Sequence, residues 1–233
     1  MHTVSPLYRE IYENPRHRKE VMVVISGQMY TEENIVSGRI SGGLYDKPSV
    51  GNCVSRKLEL EIIPLGNIPR SAKIEVFVRL VLDDKKSERL PKGVFFVSRR
   101  RQDKATGAIR FECYDAMLRA EQTWIDESYS AVNWPQTQEW AVNDIAKRMG
   151  VEPDPRNVYN EAFPVEYAVD QDGDMSMREV LSAIAVADAG NFVITDDGHL
   201  RLIGYNDIPP ETSLLITEHG DYITFGGDRI IVR

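Results

Sequence analysis

From Val21 onward the apolar positions of this chain recur every second residue. That period predicts strands over 20–26, 34–40, 54–63, 73–82, 93–101 and 107–114. The clearest is Leu58-Glu59-Leu60-Glu61-Ile62, where Leu58, Leu60 and Ile62 face a core and Glu59 and Glu61 face away. Ile74, Val76, Val78 and Leu80 repeat the pattern and leave Glu75, Phe77 and Arg79 on the other face. Phe77 on that charged face marks a candidate contact surface. Six such strands within about a hundred residues, separated by Gly, Pro and Asp, point to an antiparallel barrel or sandwich.

The stretch Gly93 to Trp124, GVFFVSRRRQDKATGAIRFECYDAMLRAEQTW, reads as a hairpin that runs into a helix. DKATG at 103–107 makes the turn, with Gly107 suited to a left-handed backbone. Asp115 suits an N-cap for AMLRAEQTW. Three arginines in an apolar run fit a nucleic-acid grip, a catalytic cluster or a subunit contact. Alternation puts Arg99 and Arg101 on one face and Arg100 on the other, so they are not three fingers on one ligand. A subunit contact through Arg99 and Arg101 remains, beside an exposed basic edge that discourages strand aggregation.

After Trp124 the period changes. Trp134-Pro135 opens a helix through Met149, with Ala141, Ile145 and Met149 at helical spacing and Gly150 as the stop. A Pro-rich connector follows. Ser176-Met177-Arg178-Glu179 matches a capping box, and Met175 with Val180 matches a hydrophobic staple, for a helix towards Ala187. From Asn191 strands return, with Asp197-Gly198 as a hairpin turn. TSLLIT and DYITFGGDRIIVR supply further strands. Near the amino terminus, Ser5-Pro6 starts a short helix that ends before Asn14-Pro15.

Charge and composition narrow the function classes. The 233 residues carry a formal net charge of −8, which argues against broad binding to nucleic acid or acidic membranes. The hydrophobic share of 42% is enough for a real core. The two cysteines, Cys53 and Cys113, have neither disulfide-framework nor zinc spacing and read as buried thiols. MHTVSPLYREIYENPRHRKE lacks the apolar stretch of a signal peptide, and VMVVI at 21–25 is too short to cross a bilayer, so no membrane anchor is expected. DQDGDM at 170–175 invites a calcium-loop reading, but the sixth and twelfth places hold Met175 and Leu181 instead of Gly and Glu. His2, His17, His199 and His219 have no zinc-protease spacing, and no nucleophile elbow, phosphate loop or dinucleotide fingerprint is present. Trp124, Trp134 and Trp140 read as core packing in preference to a sugar platform. No catalytic residue, metal or cofactor is expected.

SVGNCVSRKLELEI, LPKGVFFVSRRRQDKATGAIRFECYDAMLRAE and MSMREVLSAIAVADAGNFVITDDGHLRLIGY together resemble the tail-hub proteins of bacteriophages and prophages, which are similar in plan to the baseplate hub of T-even phages. The resemblance implies an α+β chain: an antiparallel, tail-tube-like β-barrel interrupted by an inserted helical α/β domain. On that plan residues 1–19 form an arm, 20–118 the first part of the barrel, 119–205 the insert, and 206–233 the closing strands. It implies a virion protein of the tail tip or baseplate, assembled in the host cytoplasm. The implied partners are other hub subunits in a homotrimer, the tail tube or distal tail protein, a tip or spike protein, the tape measure protein, and DNA in passage through the channel. Glu59 and Glu61 become candidates for an acidic lumen that repels DNA. Arg99, Arg101 and Phe77 become candidates for the subunit interface. Family hubs carry two tube domains per chain and strands for one are traceable here, so a trimer is expected of a longer chain and a monomer or weak oligomer of these 233 residues. The alternative function is a cell-wall hydrolase or saccharide-binding module of the same particle.

Overall fold

Ser5 accepts a hydrogen bond from the Tyr8 amide and Pro6 fills the first helical position, so the chain enters α1 (Pro6–Glu13) as the sequence predicts. In the computed structural model the described residues are 4–42, 49–124, 132–166 and 175–204, with the backbone of four two-residue strands at 213–214, 224–225, 228–229 and 231–232. The alternating stretches become β1 (Arg18–Ile25), β2 (Gln28–Tyr30), β3 (Ile35–Ser41), β5 (Lys57–Ile62), β6 (Lys73–Leu82), β7 (Lys85–Lys86), β8 (Leu90–Gln102) and β9 (Ile109–Tyr114). Between β3 and β5 lies the short β4 (Asn52–Cys53). The long strands form one antiparallel sheet in the order β2-β1-β6-β8-β9-β5-β3, with β7 on β6.

This sheet curls as a half-barrel around Val23, Ile25, Tyr30, Leu58, Leu60, Ile62, Ile74, Val76, Phe95, Ile109, Phe111 and Cys113. Leu58, Leu60 and Ile62 are buried at alternate positions, so the β5 pattern is realised as read. A closed barrel was expected. Among the described residues β3 and the β2–β1 edge pair with nothing that joins them. The closing strands expected over 206–233 fall largely outside the described residues, as do residues 170–174 of DQDGDM. What is described there is two ladders, β12 (Ser213–Leu214) with β15 (Ile231–Val232), and β13 (Thr224–Phe225) with β14 (Asp228–Arg229).

A second core gathers Trp124, α2 (Gln138–Met149), α3 (Met177–Ala187), β10 (Gly190–Ile194) and β11 (Leu200–Gly204). Thr137 caps α2, three residues after the expected start, and Gly150 ends it with φ +72°. Ser176 and Glu179 form the complete capping box of α3. Trp124, Trp134 and Trp140 stack edge to face, with centroids 5.6 and 5.8 Å apart, as core packing. Ala116–Glu121 is a 3₁₀ helix capped by Asp115, shorter than the helix expected through Trp124. β4 joins this unit by pairing in parallel with β10, so Cys53 lies in the second core and Cys113 in the first. Burial pushes both thiols up to about 12, consistent with inert core residues.

Arg56 fastens the two units. Its backbone amide donates to Asp115 Oδ2 at 3.0 Å, and its guanidinium donates to Asp196 Oδ1 at 2.6 Å and to the Thr195 carbonyl at 3.1 Å. The guanidinium also lies 3.5 Å from Asp115 Oδ2 and 5.7 Å from the centroid of the Phe95 ring. Asp115, whose side chain is fully buried, turns its other oxygen to the Met117 amide. Arg119 adds a second fastening, 3.7 Å from the centroid of Phe96 and donating to the Met149 carbonyl at 2.8 Å.

Arg56→Ala leaves Asp115 buried without its cation. The expected loss is about 3 kcal/mol of unfolding free energy, read from urea denaturation at neutral pH. Acid sensitivity has a separate source. The Arg156 side chain beside Asp154 holds that carboxyl down to about 2, against an ordinary 3.8. A lowered carboxyl stabilises the fold above its unfolded value and loses that contribution as pH falls, here between about 4 and about 2. Asp154→Asn is expected to flatten the stability–pH curve in that window, as measured by thermal melts at stepped pH.

A candidate interaction face

A β-bulge decides where the arginines of β8 point. Phe95 is buried in the half-barrel, and strict alternation from it would carry Val97, Arg99 and Arg101 to the core side. The register between β8 and β9 instead slips between Val97 and Arg99, with Ser98 as the extra residue. Arg99 and Arg101 therefore turn outward. Arg100 turns inward, where it donates to the Ile68 carbonyl and lies 6.0 Å from the centroid of Phe111.

Cross-strand register then assembles one face from four strands. Arg39, Glu59, Glu112 and Arg99 stand in one row across β3, β5, β9 and β8; Ser37, Glu61, Arg110 and Arg101 stand in the next. Glu59 and Glu112 are direct neighbours of like charge. Lys57 relieves the clash, at 2.9 Å from Glu59 and 3.5 Å from Glu112. Arg110 pairs with Glu61 at 3.0 Å. Tyr114 donates to Glu112 at 2.9 Å. That hydrogen bond, helped by the nearby charges of Lys57 and Arg99, lowers the Glu112 carboxyl; the same hydrogen bond to the carboxylate raises the Tyr114 phenol, against the pull of the two cations. The Glu59 carboxylate likewise raises Lys57. The side chains of Arg39, Arg99 and Arg101 have no hydrogen bond or ion pair with the other described residues. The face forms a shallow concavity of about 860 Å³.

Four of the five residues predicted from sequence thus share one surface: Glu59, Glu61, Arg99 and Arg101. Phe77 does not join them. It is half-buried, opposite Met22 of β1 and Pro91 at the far end of β8. Arg39, Lys57, Arg110 and Glu112 were not singled out, although register places them in the same rows. With them the face holds five cations against three carboxylates.

The cations belong to a wider segregation that a segment-by-segment charge count exposes. Residues 1–115 carry 20 Lys and Arg against 15 Asp and Glu, net +5; 116–204 carry 6 against 16, net −10; 205–233 carry 2 against 5, net −3. A second concavity, about 630 Å³, lies between the units and is lined by Arg56, Asp115, Asp154, Arg156, Asp196, His199 and Arg201 among others. In it Arg56 pairs with Asp196, Arg156 with Asp154, and His199 lies 3.6 Å from Asp197. Among the described residues no group of three or more His, Cys, Asp or Glu is placed to hold a metal ion, and no helix is long and apolar enough to cross a membrane.

No protein-family model and no curated protein sequence matches the chain. Among solved structures it is similar to the 43 kDa tail protein of prophage MuSo2 from Shewanella oneidensis, with a TM-score of 0.54 and 14% identity over 79% of this chain and 53% of that one. The fold is one it shares with a prophage tail protein. Similarity extends, at TM-scores of 0.46, to the prophage tail protein gp18 from Listeria monocytogenes EGD-e (10% identity, 88% of this chain, 56% of that one) and the tail protein from Neisseria meningitidis MC58 (12%, 85% and 54%). The chain spans about half the length of these tail proteins.

Because Arg99 and Arg101 are unpaired at the surface, the double variant Arg99→Glu/Arg101→Glu is expected to fold normally. Its unfolding free energy in urea should stay within about 1 kcal/mol of the parent.

Proposed function

We propose that the chain is a structural component of a phage or prophage tail, placed as a hub at the distal end of the tail. The observation that carries this reading is the shared fold with the MuSo2 tail protein across 79% of the chain. The tail-hub phrases of the sequence, the β-rich half-barrel and a second α/β unit threaded between its strands and the carboxy-terminal segment support it. In this reading the chain is a virion protein that acts by contact and not by catalysis. Its partners are further hub subunits in a trimer, the tail tube or distal tail protein, a tip or spike protein and the tape measure protein, with DNA passing through the channel.

The face of Glu59 and Glu61 has a changed role in this proposal. Its five cations outweigh its three carboxylates, so it does not supply a uniformly negative wall for DNA to slide along. Interleaved charges of both signs suit a protein surface of matching pattern. We therefore assign the two glutamates, with Arg99 and Arg101, to protein contact.

Tails purified from lysates of a host that carries the gene test the role directly. The protein is expected in the tail fraction, and immunogold should label one tail end. Its confinement to the soluble host fraction would overturn the tail role, and label spread along the tail would overturn the distal position. Particles built with Arg99→Glu/Arg101→Glu should assemble poorly; assembly equal to the parent's at both low and raised salt removes the contact role. Purified cell wall should stay turbid and should not pull the protein down. Clearing or co-sedimentation would favour a hydrolase or saccharide-binding module instead.

A further inference from the structure

The second unit carries a surface complementary to the basic face. Val158 and Phe163 are 77% and 54% exposed, large values for apolar side chains. Phe163 is presented on a built turn. Its amide donates to the Asn160 carbonyl at 3.2 Å, the Asn160 side chain accepts from the Ala162 amide at 3.0 Å, and the Asn160 amide donates to Gln138 at 3.1 Å. Reciprocal backbone hydrogen bonds between Val165 and Gln136, at 2.8 and 2.9 Å, pin the segment to the approach of α2. Glu161 and Glu166 flank Phe163 in the same segment, and Glu139 follows Gln138, which holds the Asn160 amide; all three are exposed. None of the three forms an ion pair or hydrogen bond through its side chain with the other described residues.

We propose that this acidic, apolar-tipped knob (158–166 with Glu139) docks on the basic face of a second copy of the chain, head to tail. The inference rests on the structural role proposed above and names a partner for it. Three observations select a second copy. The two surfaces are opposite in charge, and each lies in a segment of matching sign, net −10 for residues 116–204 and net +5 for 1–115. Neither surface suits a symmetric contact with itself: knob on knob opposes carboxylates, and face on face in register brings the Arg39 and Arg99 ends of the row together. On these two surfaces the side chains without an ion pair among the described residues are arginines on the face and carboxylates on the knob, so a second copy supplies what each lacks. Phe163 is the anchor, its ring against the guanidinium planes and aliphatic stems of Arg99 and Arg101, with Glu161 and Glu166 at the rim. A uniform polyanion is the poorer occupant, because Glu59, Glu61 and Glu112 lie among the cations. A head-to-tail contact propagates from copy to copy until rotation closes it into a ring.

Sedimentation velocity on the 233-residue chain tests this across a concentration series, at about 0.05 M and about 0.5 M salt, where screening differs severalfold. The parent should self-associate at low salt and dissociate at high salt. Arg99→Glu/Arg101→Glu and Glu161→Lys/Glu166→Lys should each abolish association while keeping the parent's circular dichroism melt. Mixed together, the two variants should form a complex, because each regains a complementary surface on the other. Phe163→Ala should weaken association by about 30-fold. A parent that stays monomeric at low salt, association indifferent to salt, either double variant associating as the parent does, or a mixture that stays unassociated overturns the proposal. Incorporation into tails is read separately: a monomeric chain found in tails defeats this contact alone, and a self-associating chain absent from tails defeats only the tail role.

Discussion

The structure turns on the ion pair between Arg56 and Asp115. Asp115 stands where β9 gives way to the second unit, and Arg56 stands at the entry to β5, so the pair closes the seam between two hydrophobic cores. A fully buried carboxylate is costly on its own, and burial raises Asp115 above its ordinary value despite the guanidinium and two backbone amides around it. Removing the charge on Arg56 therefore strands the acid. The same guanidinium reaches Asp196 in the β10–β11 turn, so one side chain fixes the hairpin of the second unit against the wall of the first. Lys92 approaches the same carboxylate at 3.9 Å. Opposite charges of the two units are thus joined inside one chain at this seam. The exposed cations of the face and the carboxylates of the knob lie outside it.

Much of the fold was legible in residues whose meaning is local. Leu58, Leu60 and Ile62 are buried because a strand turns alternate side chains to one side. Ser176 with Glu179, and Gly150, mark helix ends because free amides and carbonyls there need partners or a left-handed turn. Asp197-Gly198 turns the β10–β11 hairpin for the same kind of reason. What stayed hidden depends on partners far along the chain. The bulges at Ser98 and beside Lys92 are set by how β8 meets β9 and β6. Gly93, with φ +144°, leaves a hint, since a Cβ there would stand 2.5 Å from the Phe95 ring. β4 is too short for its period to show, and its parallel neighbour β10 lies far downstream.

The candidate face was half legible. Alternation correctly paired Arg99 with Arg101 and Glu59 with Glu61, but nothing in either strand alone shows that these pairs share a surface. That follows from the order β8-β9-β5, which makes β9 the bridge, with Glu112 and Arg110 between the two sets. The net charge of −8 also misled, because it averages a basic first half with a strongly acidic second unit. A charge total describes solubility and long-range repulsion; it does not describe a face.

Segregation of this kind has a structural consequence. If each unit were neutral, contacts between copies would be ranked by shape alone, and a two-fold arrangement would compete freely with a head-to-tail one. With cations gathered on the half-barrel and carboxylates on the second unit, every symmetric contact of like faces is penalised, and unlike faces attract. Among the described residues the half-barrel has β3 at one edge. A sheet edge invites indiscriminate pairing, yet β3 carries Arg39 on its outer face and a bulge near Val36, two features that discourage edge-to-edge addition. Attraction is thereby moved away from the sheet edge and onto charged side chains, whose strength falls with salt.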